Sequence, residues 1–174
     1  MTLEGDERMS EMITSAQRAR TACFTGHRRI PKELEDEILR AVKRVIVSLY
    51  NEGYRHFVAG GALGFDTIAA RAVLAAKGYY GDVTLELCLP CRNQTEKWNE
   101  SDRELYEFIK LQADEVKYLH DCYTSGCMQE RNRAMVDKSS YCIAYMIEQS
   151  GGTAYTVKYA NGKGLRMCNV ADMI

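Results

Sequence analysis

Hydrophobic positions along the chain fall into two alternating rhythms. Short, mostly apolar runs at residues 21–25, 54–59, 83–89, 115–119, 141–147 and 165–170 read as strands. Between them, apolar residues recur at helical spacing. The clearest helix follows Pro31, whose fixed φ suits a first turn, and Glu33, Glu35, Asp36 and Glu37 crowd its start, where the helix dipole favours acids. Ile38, Val42, Val45, Ile46 and Leu49 line one face of it, and Gly53 ends it. Further helices are expected over residues 66–77, 103–113, 128–136 and 152–160. Strands alternating with helices in this way imply α/β architecture: a single Rossmann-like three-layer sandwich with a mostly parallel sheet. Residues 1–20 are rich in charge and poor in apolar periodicity. They read as a polar N-terminal arm, able to form a short helix, ahead of one domain over residues 21–174. The chain has no internal repeat and no low-complexity linker.

Composition narrows the function classes. At 174 residues, with 46% hydrophobic and 27% charged residues, the chain has the proportions of a globular domain. Lys+Arg 23 against Asp+Glu 24 gives a net charge of -1, which disfavours nucleic acid as the main partner, because phosphate-backbone binders carry a basic excess. A small anion remains open, since one pocket needs only a few donors. No apolar run approaches the roughly 18 residues of a membrane span, and the first twenty residues lack the apolar core of a secretory signal, so a cytoplasmic location and no membrane partner are expected. Seven cysteines, an odd count, do not suggest a disulfide framework. Cys23, Cys88, Cys142 and Cys168 lie in strand-like runs, where a thiol behaves as a small hydrophobe. Cys88 and Cys91 have CxxC spacing, and Cys122 with Cys127 could complete a zinc site. The second pair is too loosely spaced and Cys88 too strand-like, so reduced thiols and no metal are expected.

In an open parallel sheet, ligands bind beyond the carboxyl ends of the strands. Four segments occupy such places. Gly26, His27 and Arg28 follow the first strand, where glycine allows a close turn and arginine can fork two donors onto an anion; a solvated basic turn is the plainer alternative. Gly60, Gly61, Ala62, Gly64 and Asp66 join the second strand to its helix, and a glycine-rich junction of this kind lets main-chain N–H groups reach a phosphate. It is neither the dinucleotide GxGxxG nor a P-loop, and Asp66 is either a ribose acceptor or a helix cap. Arg92, Gln94 and Trp98 follow the third strand; the indole either stacks on a base or packs over the sheet. Gly151, Gly152 and Thr153 form a second Gly-Gly strand–helix junction, and Arg131 and Asn132 add polar groups on the preceding helix.

In order, Thr25-Gly26-His27-Arg28, Gly60-Gly61-Ala62-x-Gly64-x-Asp66-x-x-Ala69, Leu89-Pro90-Cys91-x-x-Gln94-x-x-x-Trp98, Met135-Val136-Asp137-x-Ser139 and Gly151-Gly152-Thr153 resemble the YpsA-like branch of the SLOG superfamily. That superfamily includes the Rossmann domain of DprA (Smf) and the Lonely Guy phosphoribohydrolases. The resemblance runs from about Thr21 to Val170 and implies a Rossmann-like fold with a pocket for a nucleotide or a nucleotide-derived ligand. Lonely Guy enzymes carry PGGxGTxxE, whose glutamate takes part in cleaving an N-glycosidic bond. Laid on this chain, the proline becomes Ser150, the third glycine Ala154 and the glutamate Lys158. A lysine repels the positive charge that such a glutamate stabilises.

Binding is therefore expected ahead of catalysis. The leading expectation is a sensor or sequestering protein for a nucleotide-derived small molecule, in stress, signalling or phage-conflict pathways, with no other cofactor. Gly60, Gly61, Gly64, Gly151, Gly152 and Thr153 would hold phosphates, Arg28 would add charge, and Trp98 would face base or sugar. The alternatives are an N-glycosidic hydrolase or transferase, with Asp66, Glu96 or Glu148 supplying a carboxylate, and a DprA-like single-strand DNA binder. Pairing into a homo-oligomer is compatible with such folds.

Overall fold

A computed structural model describes residues 14–174. Of the expected N-terminal arm, residues 1–13 lie outside the described residues; residues 14–18 are helical and lead directly into the first strand. Six strands follow: β1 (Thr21–Gly26), β2 (His56–Ala59), β3 (Thr84–Cys91), β4 (Glu115–His120), β5 (Tyr141–Tyr145) and β6 (Arg166–Asn169). They form one sheet of order β4-β3-β2-β1-β5-β6. Every pairing in it is parallel. The connecting helices are α1 (Glu35–Asn51), α2 (Phe65–Tyr80), α3 (Glu100–Gln112), α4 (Cys127–Asp137) and α5 (Gly152–Gly162). This is the Rossmann-like α/β sandwich that the alternation of elements implies.

The chain walks outward from β1 to β4, then returns to the far side of β1 for β5 and β6. Right-handed crossovers therefore put α1, α2 and α3 on one face of the sheet and α4 and α5 on the other. The two cores follow the strand alternation. Phe24, Phe57, Leu85, Leu87, Leu89 and Ile143 pack with Ile38, Val42, Ile68 and Ile109 on the first face. Cys23, Val58, Cys88 and Cys142 pack with Met135, Val136 and Ala160 on the second. Small thiols on this face let two short helices lie close to the strands. All seven cysteines are free.

Local chemistry sets the element ends. The α1 segment opens with a 3-10 turn over Lys32–Leu34 rather than at Pro31, and Gly53, at φ 104°, closes it. Asn99 caps α3, its side chain accepting from the Asp102 N–H, so this helix begins three residues ahead of the expected start. β5 ends at Tyr145, two residues before its apolar run does. The reason is that side chains take over its hydrogen bonds: the Met146 N–H donates to Asn169 Oδ1 (2.9 Å), and Asn169 Nδ2 donates back to the Met146 carbonyl (2.8 Å). Among the described residues no helix is long and apolar enough to cross a membrane.

Candidate functional site

The strand order reverses at β1, so the crevice at the carboxyl ends of β1 and β5 is the switch point of the sheet. His27 sits at its centre. Its backbone N–H donates to the Tyr145 carbonyl (3.3 Å), and its own carbonyl accepts from the Phe65 N–H (3.1 Å) at the start of α2. Its ring nitrogen Nε2 accepts from the N–H groups of Ile147 (2.8 Å) and Glu148 (3.2 Å). The ring meets the edge of Tyr145 at 6.0 Å, and Tyr145 in turn stacks on Phe65 at 5.8 Å. The Tyr145 hydroxyl is buried without a hydrogen-bond partner, and burial pushes its pKa up.

The first glycine-rich junction is filled by the protein itself. A methyl group on Gly64 (φ 79°) would lie 2.2 Å from the Arg28 carbonyl oxygen and 2.6 Å from that of His27. One on Gly26 would strike the Phe65 ring at 2.4 Å, and one on Gly61 would strike Leu89 at 2.4 Å. Beside Gly60 stand the Arg131 guanidinium and the Asp66 carboxylate, at 2.6 and 2.7 Å from the same kind of position. Arg131, buried on α4, donates through Nη1 to the Gly60 carbonyl and through Nε to Asn132 Oδ1 (2.8 Å). Asp66 Oδ2 accepts from the Ala62 N–H (3.2 Å). Burial pushes the Asp66 carboxyl above its ordinary value, and Arg131 and the Ala62 N–H pull it partly back. Gly64 lets the β1 turn and the start of α2 touch backbone to backbone, while Gly26, Gly60 and Gly61 make room for side chains.

The third segment splits. Gln94 leans on the same junction, donating to the Gly61 carbonyl (3.4 Å) and to the Tyr106 hydroxyl (3.2 Å), while its Oε1 is buried without a partner. Trp98 is 7% exposed and edge-on to Tyr106 at 5.5 Å, so its ring is enclosed rather than open to a base. The ring instead carries the Arg28 guanidinium, 5.7 Å from its centroid. Arg92 turns away toward β4, pairing with Asp121 (3.2 Å) and lying over Tyr118 (4.2 Å).

The second Gly-Gly junction is open. Gly151 (φ 91°) caps α5, and a methyl group on either Gly151 or Gly152 would meet no atom within 4 Å. The first bond of the helix runs from the Tyr155 N–H to the Gly151 carbonyl (3.0 Å). The N–H groups of Gly152, Thr153 and Ala154 therefore precede any intrahelical acceptor, at the positive end of the dipole. Thr153 is buried, while both glycines are exposed.

His27, Arg28, Gly60, Gly61, Ala62, Gly64, Asp66, Gln94, Trp98, Arg131 and Asn132 are thus tied into one packed neighbourhood, joined through His27 to the open turn before α5. Arg92 stands apart. The sequence reading missed three aromatic side chains: the buried Tyr145, and the exposed Tyr123 and Tyr155, the last accepting from Arg133 at 3.0 Å. Tyr155 stands just beyond Gly-Gly-Thr in the first turn of a helix, a place where its exposure was readable.

Cys88 faces α4 and α5 from mid-strand, while Cys91 lies beside the buried Cys127, with the exposed Cys122 nearby. Among the described residues no group of three or more His, Cys, Asp or Glu is placed to hold a metal ion. Burial pushes the Cys91 thiol up, as does the neighbouring Cys127. A cavity of about 870 Å³ lies at the opposite, amino-terminal edge of the sheet, beside Arg18, His56, Glu86, Lys117 and Lys138. Its charges already answer one another: Glu86 pairs with Lys138 and Lys117, and Lys117 with Glu115. Volume alone does not make it the site.

A wholly parallel sandwich with glycine-rich turns at its switch point defines a Rossmann-type α/β protein. The chain belongs to the YspA SLOG family, whose model matches residues 31–169. A UPF0398 protein from Bacillus cereus is 31% identical over 130 residues, covering 73% of this chain and 71% of its own length. In fold, the chain is similar to DNA processing protein A (DprA) from Streptococcus pneumoniae, with TM-score 0.65 and 15% identity over 87% of this chain. It spans half the length of that protein (50%). DprA from Helicobacter pylori gives TM-score 0.62 and 14% identity, covering 92% of this chain and 73% of its own. Family membership supports a nucleotide-related binding role at the level of the family.

Proposed function

We propose that this protein binds a nucleotide or nucleotide-derived small molecule and seats a phosphate of it on the amino end of α5, acting as a sensor or sequestering protein. The observation that carries the reading is the contrast between the two glycine junctions. Gly60, Gly61 and Gly64 are spaces that protein atoms fill, whereas Gly151 and Gly152 open outward at the switch point. An anion there meets main-chain N–H groups and the helix dipole, an arrangement that adds no formal charge and agrees with a net charge of -1. Arg28, braced on Trp98, supplies a guanidinium from the neighbouring turn. Seven free thiols agree with a reducing, cytoplasmic setting.

Calorimetry against AMP, ADP-ribose, NAD and cyclic AMP tests this reading. Gly152→Asp is the informative variant. Its carboxylate occupies the anion's place in open space, and as an acid at a helix start it costs the fold nothing. Binding to the wild type that disappears in Gly152→Asp supports the proposal; no heat with any of the four removes it.

Single-stranded DNA is the second reading, favoured by the likeness in fold to the Helicobacter pylori protein, which is described by its single-stranded DNA binding mode. A low-salt gel shift decides between the two. Cleavage of an N-glycosidic bond has less support, since Asp66 is turned inward onto Ala62 and Arg131, and Lys158 stands where Lonely Guy enzymes have their glutamate. Free base released from AMP, and lost in Asp66→Asn, would restore it.

A further inference from the structure

The turn that presents Gly151 and Gly152 is not held by its own strand. β5 ends at Tyr145, and among the described residues two side chains, Asn169 and His27, tether the chain between it and the open turn. Asn169 clasps Met146, and the His27 ring takes the N–H groups of Ile147 and Glu148, at 2.8 and 3.2 Å. The second tether is the last one before Gly151. Both of its donors are main-chain N–H groups, which have no acceptor form. Nε2 must therefore offer its lone pair, and the ring must be the neutral tautomer with its proton on Nδ1.

We infer that neutral His27 is the positioning residue of the α5 anion site and that protonating it releases the turn, so that proton and ligand compete. This rests on the reading of the α5 amino end as the phosphate seat. A proton on Nε2 would point at two N–H donors, so both hydrogen bonds break and an imidazolium faces their positive ends. Ile147 is 61% exposed, so water readily takes the released N–H groups and the turn swings free. The inflexible side of the joint remains, because His27 is also fastened through its backbone to Tyr145 and Phe65.

The charged and titratable neighbours come from three elements. From its own turn come Arg28, drawn over Trp98, and the exposed Arg29. From β5 and the following turn come Tyr145, against the ring edge, and Glu148, whose N–H the ring accepts. From α2 comes Asp66, directed to the Ala62 N–H and Arg131 rather than to the imidazole.

The sign follows from the state that binds. Affinity is full where the ring is neutral and falls as it takes up its proton, which a series of measurements from about pH 8 down to pH 5 reads. A direct cation–phosphate contact would give the opposite slope, because acid would then strengthen binding.

Two measurements on the full chain test the inference. The first needs no ligand: amide NMR signals and hydrogen exchange of Ile147 and Glu148 across that pH range. Loss of protection at both amides as the pH falls is expected; unchanged protection overturns the inference. The second uses NAD and cyclic AMP, whose pyrophosphate and cyclic phosphodiester groups keep their charge over the same range. Wild-type affinity is expected to fall roughly five- to tenfold on acidification, the scale of losing two modest hydrogen bonds. His27→Gln, whose amide oxygen accepts the same donors without titrating, is expected to bind with no such slope, and His27→Ala to bind weakly at every pH. Stronger binding in acid, or a slope that survives in His27→Gln, overturns the inference. If neither nucleotide binds at any pH, the amide measurement alone decides for or against the His27 tether, and the proposed function is decided by the four-nucleotide titration.

Discussion

At Gly64 a methyl group would lie 2.2 Å from a backbone oxygen, whereas at Gly152 it would meet nothing within 4 Å. The residue type is the same, and the physical reasons for it are opposite. Gly64→Ala must push the β1 turn away from α2 while also holding a positive φ of 79°, and we expect it to cost roughly 2–4 kcal/mol in chemical denaturation. Gly151→Ala bears only the backbone penalty of its φ of 91°, about 1 kcal/mol. The sequence offers no sign of this difference, because it records the absence of a side chain and not which atoms fill the vacancy. Trp98 and Arg131 are hidden in the same way. As residue types they suggest a base platform and an anion clamp, and the fold uses them to brace Arg28 and to tie α4 to Gly60. Asp66 gives a pH signature at this scale. Burial raises its folded pKa above 3.8, so its contribution to stability is fully present below that value and is lost as pH rises through the raised one. Measured as thermal midpoints, wild type should gain on Asp66→Asn as pH falls from neutrality toward 3.8.

Among elements, periodicity located every strand and α-helix from β1 onward, since two-residue and 3.6-residue repeats follow directly from which faces must be buried. It failed at ends set by side chains from distant parts of the chain. β5 shows why: its apolar run continues to Ile147, yet Asn169 and His27, 23 and 120 residues away from their partners, take over the hydrogen bonding. Local sequence carries no record of such a partner. Asn169 also accepts from the Ala171 N–H (3.3 Å), so one amide fixes the ends of two strands and the final turn. Asn169→Ala should cost roughly 1–3 kcal/mol and speed exchange of the Met146 amide, while leaving the amides of β1 and β3 protected. Normal protection at Met146 in that variant would show that the strand ends itself.

For the whole molecule, a parallel sheet that reverses direction at β1 gathers the turns after β1, β2, β3 and β5 at one edge, which is why residues scattered from 26 to 153 meet. That gathering was legible from the βα alternation and the rule that ligands lie beyond strand carboxyl ends. The near-zero charge also takes on meaning at this scale. A site built from a helix start and one braced arginine needs no basic surface, and the ion pairs that line the cavity at the opposite edge add none. The most direct test of the account is calorimetric titration of wild type and Gly152→Asp with the four nucleotides at neutral pH. The account predicts binding of at least one nucleotide to wild type, weakened at least about tenfold in a Gly152→Asp protein that is as stable as the parent. Equal affinity in the two proteins, or no binding by a folded wild type, would contradict it.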